Sequence, residues 1–155
     1  MPISMASNYS EQTEGALLCI NKTTDWAIDV ITTINHKKNI CLLDYGAADG
    51  GTAVKFWGKI IGSIFSKNQE AEITLIGNDL PSNNNSELLN NLNFQLENFP
   101  TIKTLLSGRS FYEQIVPNCS VTFGFSATAM HWLSRPVHGL VNHTHPQRCE
   151  NMNLF

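Results

Sequence analysis

The chain has 155 residues, enough for one domain, and its composition of 42% hydrophobic and 15% charged residues supports a buried core. The formal net charge is −3, the basic residues form no cluster and the apolar runs are too short to span a bilayer, so neither nucleic acid nor a membrane is an expected partner. The four cysteines are scattered without a CxxC pair, and the amino terminus lacks the features of a signal peptide. Together they predict a reduced, cytoplasmic protein.

The first half of the chain alternates helical and strand patterns. After a polar opening segment that ends near Glu14, apolar residues at helical spacing predict a helix with Thr24 as its amino-terminal cap. These apolar positions are Ala27, Val30, Ile31 and Ile34. The run 39–45 predicts a buried strand, residues 46–52 form a turn of small residues, and apolar positions within 54–64 mark a second amphipathic helix.

The second half continues the alternation. Residues 72–77 predict a second strand, the Asn-rich linker 82–85 leads into a helix over 87–96, and third and fourth strands are predicted at 101–106 and 120–125. A short helix is predicted between these last two strands. The order β-α-β-α-β-(short helix)-β predicts an α/β fold in which helical crossovers connect the strands of a parallel sheet.

The first strand ends in the pattern Asp44-x-Gly46-x-Ala48-x-Gly50. Small side chains at this position let the backbone approach a nucleotide-like ligand that lies across the carboxyl end of the strand. The helix that follows offers free backbone amides to such a ligand. The alternative is an ordinary strand-to-helix turn that uses glycine for steric reasons alone.

Asp79 comes directly after the second predicted strand, where a carboxylate can accept hydrogen bonds from both hydroxyls of a ribose. It could instead cap the next helix. Together with the turn, Asp79 predicts an adenosine-containing cofactor. Dinucleotide binding favours Gly-x-Gly-x-x-Gly, and the segment 46–51 lacks the middle glycine. S-adenosylmethionine is therefore favoured, and a nicotinamide-dependent oxidoreductase is the alternative.

Three further stretches narrow the interpretation: NDLPSN at 78–83, GRSFY at 108–112 and SATAMHWLS at 126–134. In this order they resemble the salicylic acid, benzoic acid and theobromine (SABATH) family of S-adenosylmethionine-dependent methyltransferases, which methylate carboxylates and some ring nitrogens. The resemblance extends from about Tyr9 to Pro136. It implies a Rossmann-like α/β methyltransferase fold with S-adenosyl-L-methionine as cofactor.

The resemblance also implies a set of cofactor-binding residues. They are Tyr9, Thr13, Asp44, Gly46, Ala48, Gly50, Asp79, Leu80, Ser110 and Phe111. In the family, the glycine turn faces the methionine part of the cofactor and the acid after the second strand holds the ribose. The residues that correspond to Leu80, Ser110 and Phe111 surround the adenine.

The resemblance also implies the acceptor-binding residues. They are His131 and Trp132, whose ring N–H groups would hold a small-molecule carboxylate, and Thr128, which would shape the pocket. Methyl transfer to an ionised carboxylate needs orientation and a dry pocket, not a general base, so no catalytic acid, base or metal is predicted. The alternative is that the pair 131–132 belongs to the core. Three positions depart from the family pattern: Thr13 stands in place of a serine, Ala16 stands where members have a glutamine, and Thr128 stands where plant members often have an aromatic residue.

Family members continue past the HWLS motif (131–134 in this chain) through three more strands and a helical cap. We therefore expect residues 1–141 to form a partial, S-adenosylmethionine-binding domain that lacks these parts, followed by a disordered tail at 142–155. The fourth strand would then have a bare edge, open to pairing. The alternatives to an active enzyme are a non-catalytic cofactor-binding remnant and an isoform that binds a partner. The expected assembly is a homodimer.

Overall fold

A computed structural model describes residues 13–34, 38–99 and 101–129. Its elements, in chain order, are α1 (Glu14–Thr32), β1 (Asn39–Tyr45), α2 (Val54–Lys67), β2 (Glu72–Asp79), α3 (Asn85–Gln95), β3 (Lys103–Gly108) and β4 (Phe123–Phe125). The strands form a parallel sheet in the order β3-β2-β1-β4. The predicted α/β class and parallel sheet are therefore confirmed, and the carboxyl ends of all these strands meet at the same edge.

Helix α1 begins earlier than the sequence pattern predicted. Thr24 does not cap it but lies inside it, where the side chain is buried and its hydroxyl donates to the Ile20 carbonyl at 2.7 Å. This bond satisfies the hydroxyl within the helix, so a polar residue can occupy the buried face. That face starts at Ala16 and continues through Ile20 and Ala27.

The strands follow the prediction with small shifts. β1 has the predicted bounds, β2 extends through Asp79, and β4 is shorter than predicted. The short helix predicted between β3 and β4 is absent, because residues 109–122 form turns whose polar groups bond locally. For example, the Arg109 guanidinium donates to the Gln114 carbonyl at 3.1 Å.

The three helices of the described chain pack against the same face of the sheet. Leu42, Leu75 and Phe123 are register partners on neighbouring strands and contribute to this side of the core. Trp57 of α2 is fully buried, and the ring of its neighbour Phe56 stacks on the ring of Phe125, with 4.1 Å between the ring centroids. Burial of these large side chains provides the main driving force for docking of α2 on β1 and β4.

Within the described residues, β4 pairs with β1 alone and forms one edge of the sheet. None of the helices in the described ranges is long and apolar enough to cross a membrane.

Candidate functional site

The segments that follow β1, β2, β3 and β4 meet at the carboxyl edge of the sheet, where ligands bind in open α/β folds. A narrow cavity of about 20 Å³ lies between α1, the turn after β1 and the segment after β4. Its lining residues are Ala16, Ile20, Asp44, Gly46, Ala47, Ala48, Thr52, Ala53, Ala127 and Thr128. The sequence-predicted turn therefore forms one wall of a cavity at the expected edge.

The turn after β1 has left-handed backbone conformations at alternate residues: φ is 74° at Gly46, 51° at Ala48 and 77° at Gly50. Gly46 is also sterically required, because a Cβ atom there would collide with the Cβ of Ala129. Ala48 adopts a conformation that disfavours a side chain, at a cost of about 1–2 kcal/mol. Two hydrogen bonds hold it: its N–H donates to Asp79 Oδ2 at 2.6 Å, and its carbonyl accepts from Asn83 Nδ2 at 2.6 Å.

Gly50 has a different environment from the rest of the turn. A Cβ atom on it would lie 2.8 Å from Cδ1 of Leu88, and the side chain of Leu92 lies next to the same position. Gly50 does not line the cavity. The absence of a side chain at Gly50 allows the close contact between the turn and α3. The cofactor-binding role predicted for Gly50 stays a prediction.

Asp79 lies directly beside the turn. Its Oδ2 accepts from the Ala48 amide, and its Oδ1 accepts from the Leu80 amide at 2.7 Å. Each carboxylate oxygen has a second acceptor site, so the group retains the capacity to accept a pair of hydroxyl donors. The structure thus brings together the acid and the turn that the sequence analysis singled out, although they are 31 residues apart along the chain.

Asp44 is buried, and its Oδ2 accepts a hydrogen bond of 2.8 Å from Nε1 of Trp57. Burial raises the pKa of the Asp44 carboxyl to about 7, the charge of Asp79 adds to this rise, and the bond from Trp57 opposes it. The sequence pattern does not predict this pair, since a tryptophan on an amphipathic helix is indistinguishable by spacing from any other core residue.

Phe111, predicted for the adenine pocket, lies at the turn. Its Cε1 atom is 3.7 Å from the position that a Cβ would take on Gly46. Phe111 also lines a second cavity of about 320 Å³, formed by Tyr45 and the connection between β3 and β4. The neighbouring Ser110 accepts a hydrogen bond of 3.3 Å from the Tyr112 amide. The ring therefore lies between the glycine turn and the larger cavity.

Two predicted threonines also lie at this edge. The hydroxyl oxygen of Thr13 is 3.4 Å from that of Thr52, which connects the start of α1 to the end of the turn. Thr128 lines the narrow cavity, has a left-handed φ of 60°, and its hydroxyl donates to the Ala127 carbonyl at 2.7 Å. Three predicted residues, Tyr9, His131 and Trp132, lie outside the described residues.

These features define a class of protein, a Rossmann-like α/β protein with a cavity beside the turn after its first strand. A family model described as SAM dependent carboxyl methyltransferase matches residues 2–153. The chain therefore belongs to the S-adenosylmethionine-dependent carboxyl methyltransferase family, as the resemblance indicated.

Individual relatives agree with this assignment. The chain is 30% identical over 111 residues to Methyltransferase LUC1 of Fusarium sp, a match that covers 67% of this chain and 30% of that protein. A solved structure, a loganic acid methyltransferase with SAH, superposes with a TM-score of 0.72 at 19% identity, over 86% of this chain and 41% of that one. At this identity the structural likeness shows the fold. The chain thus spans about a third of the curated relative that it matches.

Proposed function

We propose that this protein is an S-adenosylmethionine-dependent methyltransferase that forms methyl esters of small-molecule carboxylates. The observation that carries the proposal is the hydrogen bond between the Ala48 amide and the Asp79 carboxylate. It joins a turn of small residues to an acid that can hold a ribose, and the pair supports a site for an adenosine-containing cofactor. Family membership supports the same chemistry.

We assign the cofactor-binding roles as follows. Tyr9, Thr13 and the turn residues Asp44, Gly46, Ala48 and Gly50 serve the methionine part, Asp79 the ribose, and Leu80, Ser110 and Phe111 the adenine. When bound, the cofactor supplies an electrophilic methyl group on a sulfonium centre. The chain's own residues hold and orient it. The carboxylate of Asp79 and the ring of Phe111 are the groups that fit a ribose and a base, and the small residues of the turn let the backbone approach the methionine part.

Cofactor entry requires a movement at the turn. The cavity of about 20 Å³ holds no more than a water molecule or two, and Ala129 lies against Gly46. We infer that the segment 127–129 moves away from Gly46 when the methionine part binds. This segment leads directly to the proposed acceptor residues, so cofactor binding and the acceptor side are linked through the chain itself.

On the acceptor side, we propose that His131 and Trp132 donate ring N–H hydrogen bonds to one carboxylate oxygen and that Thr128 shapes the pocket. The second oxygen would then be free to accept the methyl group that the cofactor supplies, with the bond to the sulfonium sulfur breaking and S-adenosylhomocysteine as the leaving group. An ionised carboxylate is already nucleophilic, so the residues contribute position and exclusion of water.

We further propose that residues 1–141 form the cofactor-binding domain and that residues 142–155 form a tail. The protein is proposed to be cytoplasmic and to assemble as a homodimer. A second candidate function is cofactor binding without methyl transfer, with or without a protein partner. This second function is tested beside the first because the match covers 30% of the curated relative's length. The nicotinamide alternative is disfavoured by the family match.

Two measurements on the 155-residue protein test the proposal. Calorimetric titration should show binding of S-adenosylhomocysteine and none of NAD. Transfer of a labelled methyl group from S-adenosylmethionine to a panel of aromatic and aliphatic carboxylates should then reveal the acceptor, and Trp132→Phe should lower this rate while S-adenosylhomocysteine affinity is retained. Binding without transfer to any acceptor would support the second candidate. Absence of S-adenosylhomocysteine binding would contradict both.

A further inference from the structure

Asn78, next to Asp79 in β2, is fully buried and connects three segments of the candidate site. Its backbone carbonyl accepts hydrogen bonds from the amides of Gly46 and Ala47, both at 2.9 Å. These bonds extend the pairing of β1 with β2 into the glycine turn. The main chain of Asn78 therefore fixes the start of the turn relative to Asp79.

The side chain of Asn78 reaches in the other direction, to the end of β3. Its Nδ2 donates to the carbonyls of Ser107 and Arg109, at 3.0 and 2.8 Å. Both amide hydrogens are thus used, and the two carbonyls settle which end of the amide is nitrogen. Arg109 immediately precedes Ser110 and Phe111, so these bonds hold the start of the segment that carries the Phe111 ring to the turn.

The remaining polar atom of this side chain indicates that Asn78 is not an ordinary core residue. Its Oδ1 is buried and has no hydrogen-bond partner within the described residues. An unpaired buried acceptor is unfavourable, and an aliphatic side chain, such as that of Ile76 two residues earlier on the same face, avoids this cost. What an aliphatic residue cannot provide is the pair of hydrogen bonds to Ser107 and Arg109.

We propose that Asn78 is a positioning residue for the cofactor site: its amide fixes the segment that carries Ser110 and Phe111 relative to Asp79 and the glycine turn. The inference rests on the proposed function, because it assigns Asn78 to the adenosine side of that site. Asn78 acts through Phe111 and is not expected to contact the cofactor.

A double-mutant cycle on S-adenosylhomocysteine affinity tests this role. Asn78→Leu removes both donors and the unpaired oxygen while keeping the number and branching of the side-chain heavy atoms, so the fold should be retained. Its dissociation constant should rise about three- to tenfold, the effect of losing one well-placed aromatic contact. In a Phe111→Ala background the same substitution should have little further effect, because the ring that Asn78 positions is gone.

The outcomes separate this inference from the proposed function. If the wild-type protein does not bind S-adenosylhomocysteine, the proposed function fails. If the wild type binds but Asn78→Leu binds equally well, or if the effects of Asn78→Leu and Phe111→Ala add fully, the positioning role is wrong. Asn78→Asp, which keeps the side-chain shape but loses at least one donor, is the second variant should Asn78→Leu unfold, and the same cycle applies to it.

Discussion

At the scale of single residues, the buried carboxyl of Asp44 makes the stability of the fold depend on pH. Its pKa is about 7 in the folded protein, raised from 3.8 chiefly by burial. The folded state therefore keeps a proton that the unfolded chain has lost, and the stability this provides is present below pH 4 and lost as the pH rises through 7. The contribution is on the order of 4 kcal/mol at most.

We predict that the free energy of unfolding of the wild type falls between pH 4 and pH 7, relative to Asp44→Asn. The asparagine keeps the size of the side chain and cannot ionise. Urea unfolding of both proteins across this range measures the difference directly. Parallel pH profiles for the two proteins would mean that Asp44 does not retain its proton in the folded state.

At the scale of elements, two glycines next to or within α2 should respond oppositely to alanine. Gly50 has a left-handed φ, and a Cβ there would press on Leu88 of α3. Gly58 lies inside α2 with open space around it. Gly50→Ala should therefore destabilise the protein by roughly 1–2 kcal/mol, whereas Gly58→Ala should stabilise it by roughly 0.5–1 kcal/mol.

Thermal unfolding of the two variants beside the wild type checks this prediction, and Gly58→Ala serves as the control for the added methyl group. A Gly50→Ala protein as stable as the wild type would show that the turn can move away from α3 at no cost.

The elements themselves were predictable to different degrees. β1 and β2 could be read from their apolar runs because buried parallel strands are apolar on both faces. The start of α1 was missed because Thr24 looks like a cap in the sequence and is instead satisfied by the Ile20 carbonyl inside the helix. The segment between β3 and β4 was predicted to be partly helical, but local hydrogen bonds such as that of Arg109 to Gln114 shape it into turns.

In the candidate site, too, some features could be predicted from the sequence and others could not. The turn and Asp79 could be predicted because each stands at a fixed offset from a strand end. The bond of Trp57 to Asp44 and the contact of Ala129 with Gly46 could not, since each joins residues that only the tertiary structure brings together. The left-handed conformation of Ala48 also has no sequence signal, because alanine rarely adopts it.

At the scale of the whole molecule, the fold should gain stability from a ligand that binds the folded state and not the unfolded chain. We predict that S-adenosylhomocysteine at one hundred times its dissociation constant stabilises the protein by about 2.7 kcal/mol. The melting temperature should then rise by roughly 5–10 °C. Thermal scans with and without ligand measure this shift, with NAD at the same concentration as the control. An unchanged melting temperature at saturating ligand would contradict the prediction.

Asp79 is proposed to hold the ribose of the cofactor beside the turn that serves its methionine part, and calorimetric titration of S-adenosylhomocysteine into Asp79→Asn tests this role most directly. Loss of hydrogen bonds to a charged acceptor should weaken binding by about 1.5–3 kcal/mol, roughly 10- to 150-fold. Glu72→Gln is the matched control: it removes one negative charge from the same strand, where the pair with Lys38 is exposed and 3.2 Å long, and should bind like the wild type. A folded Asp79→Asn protein with wild-type affinity would contradict the account.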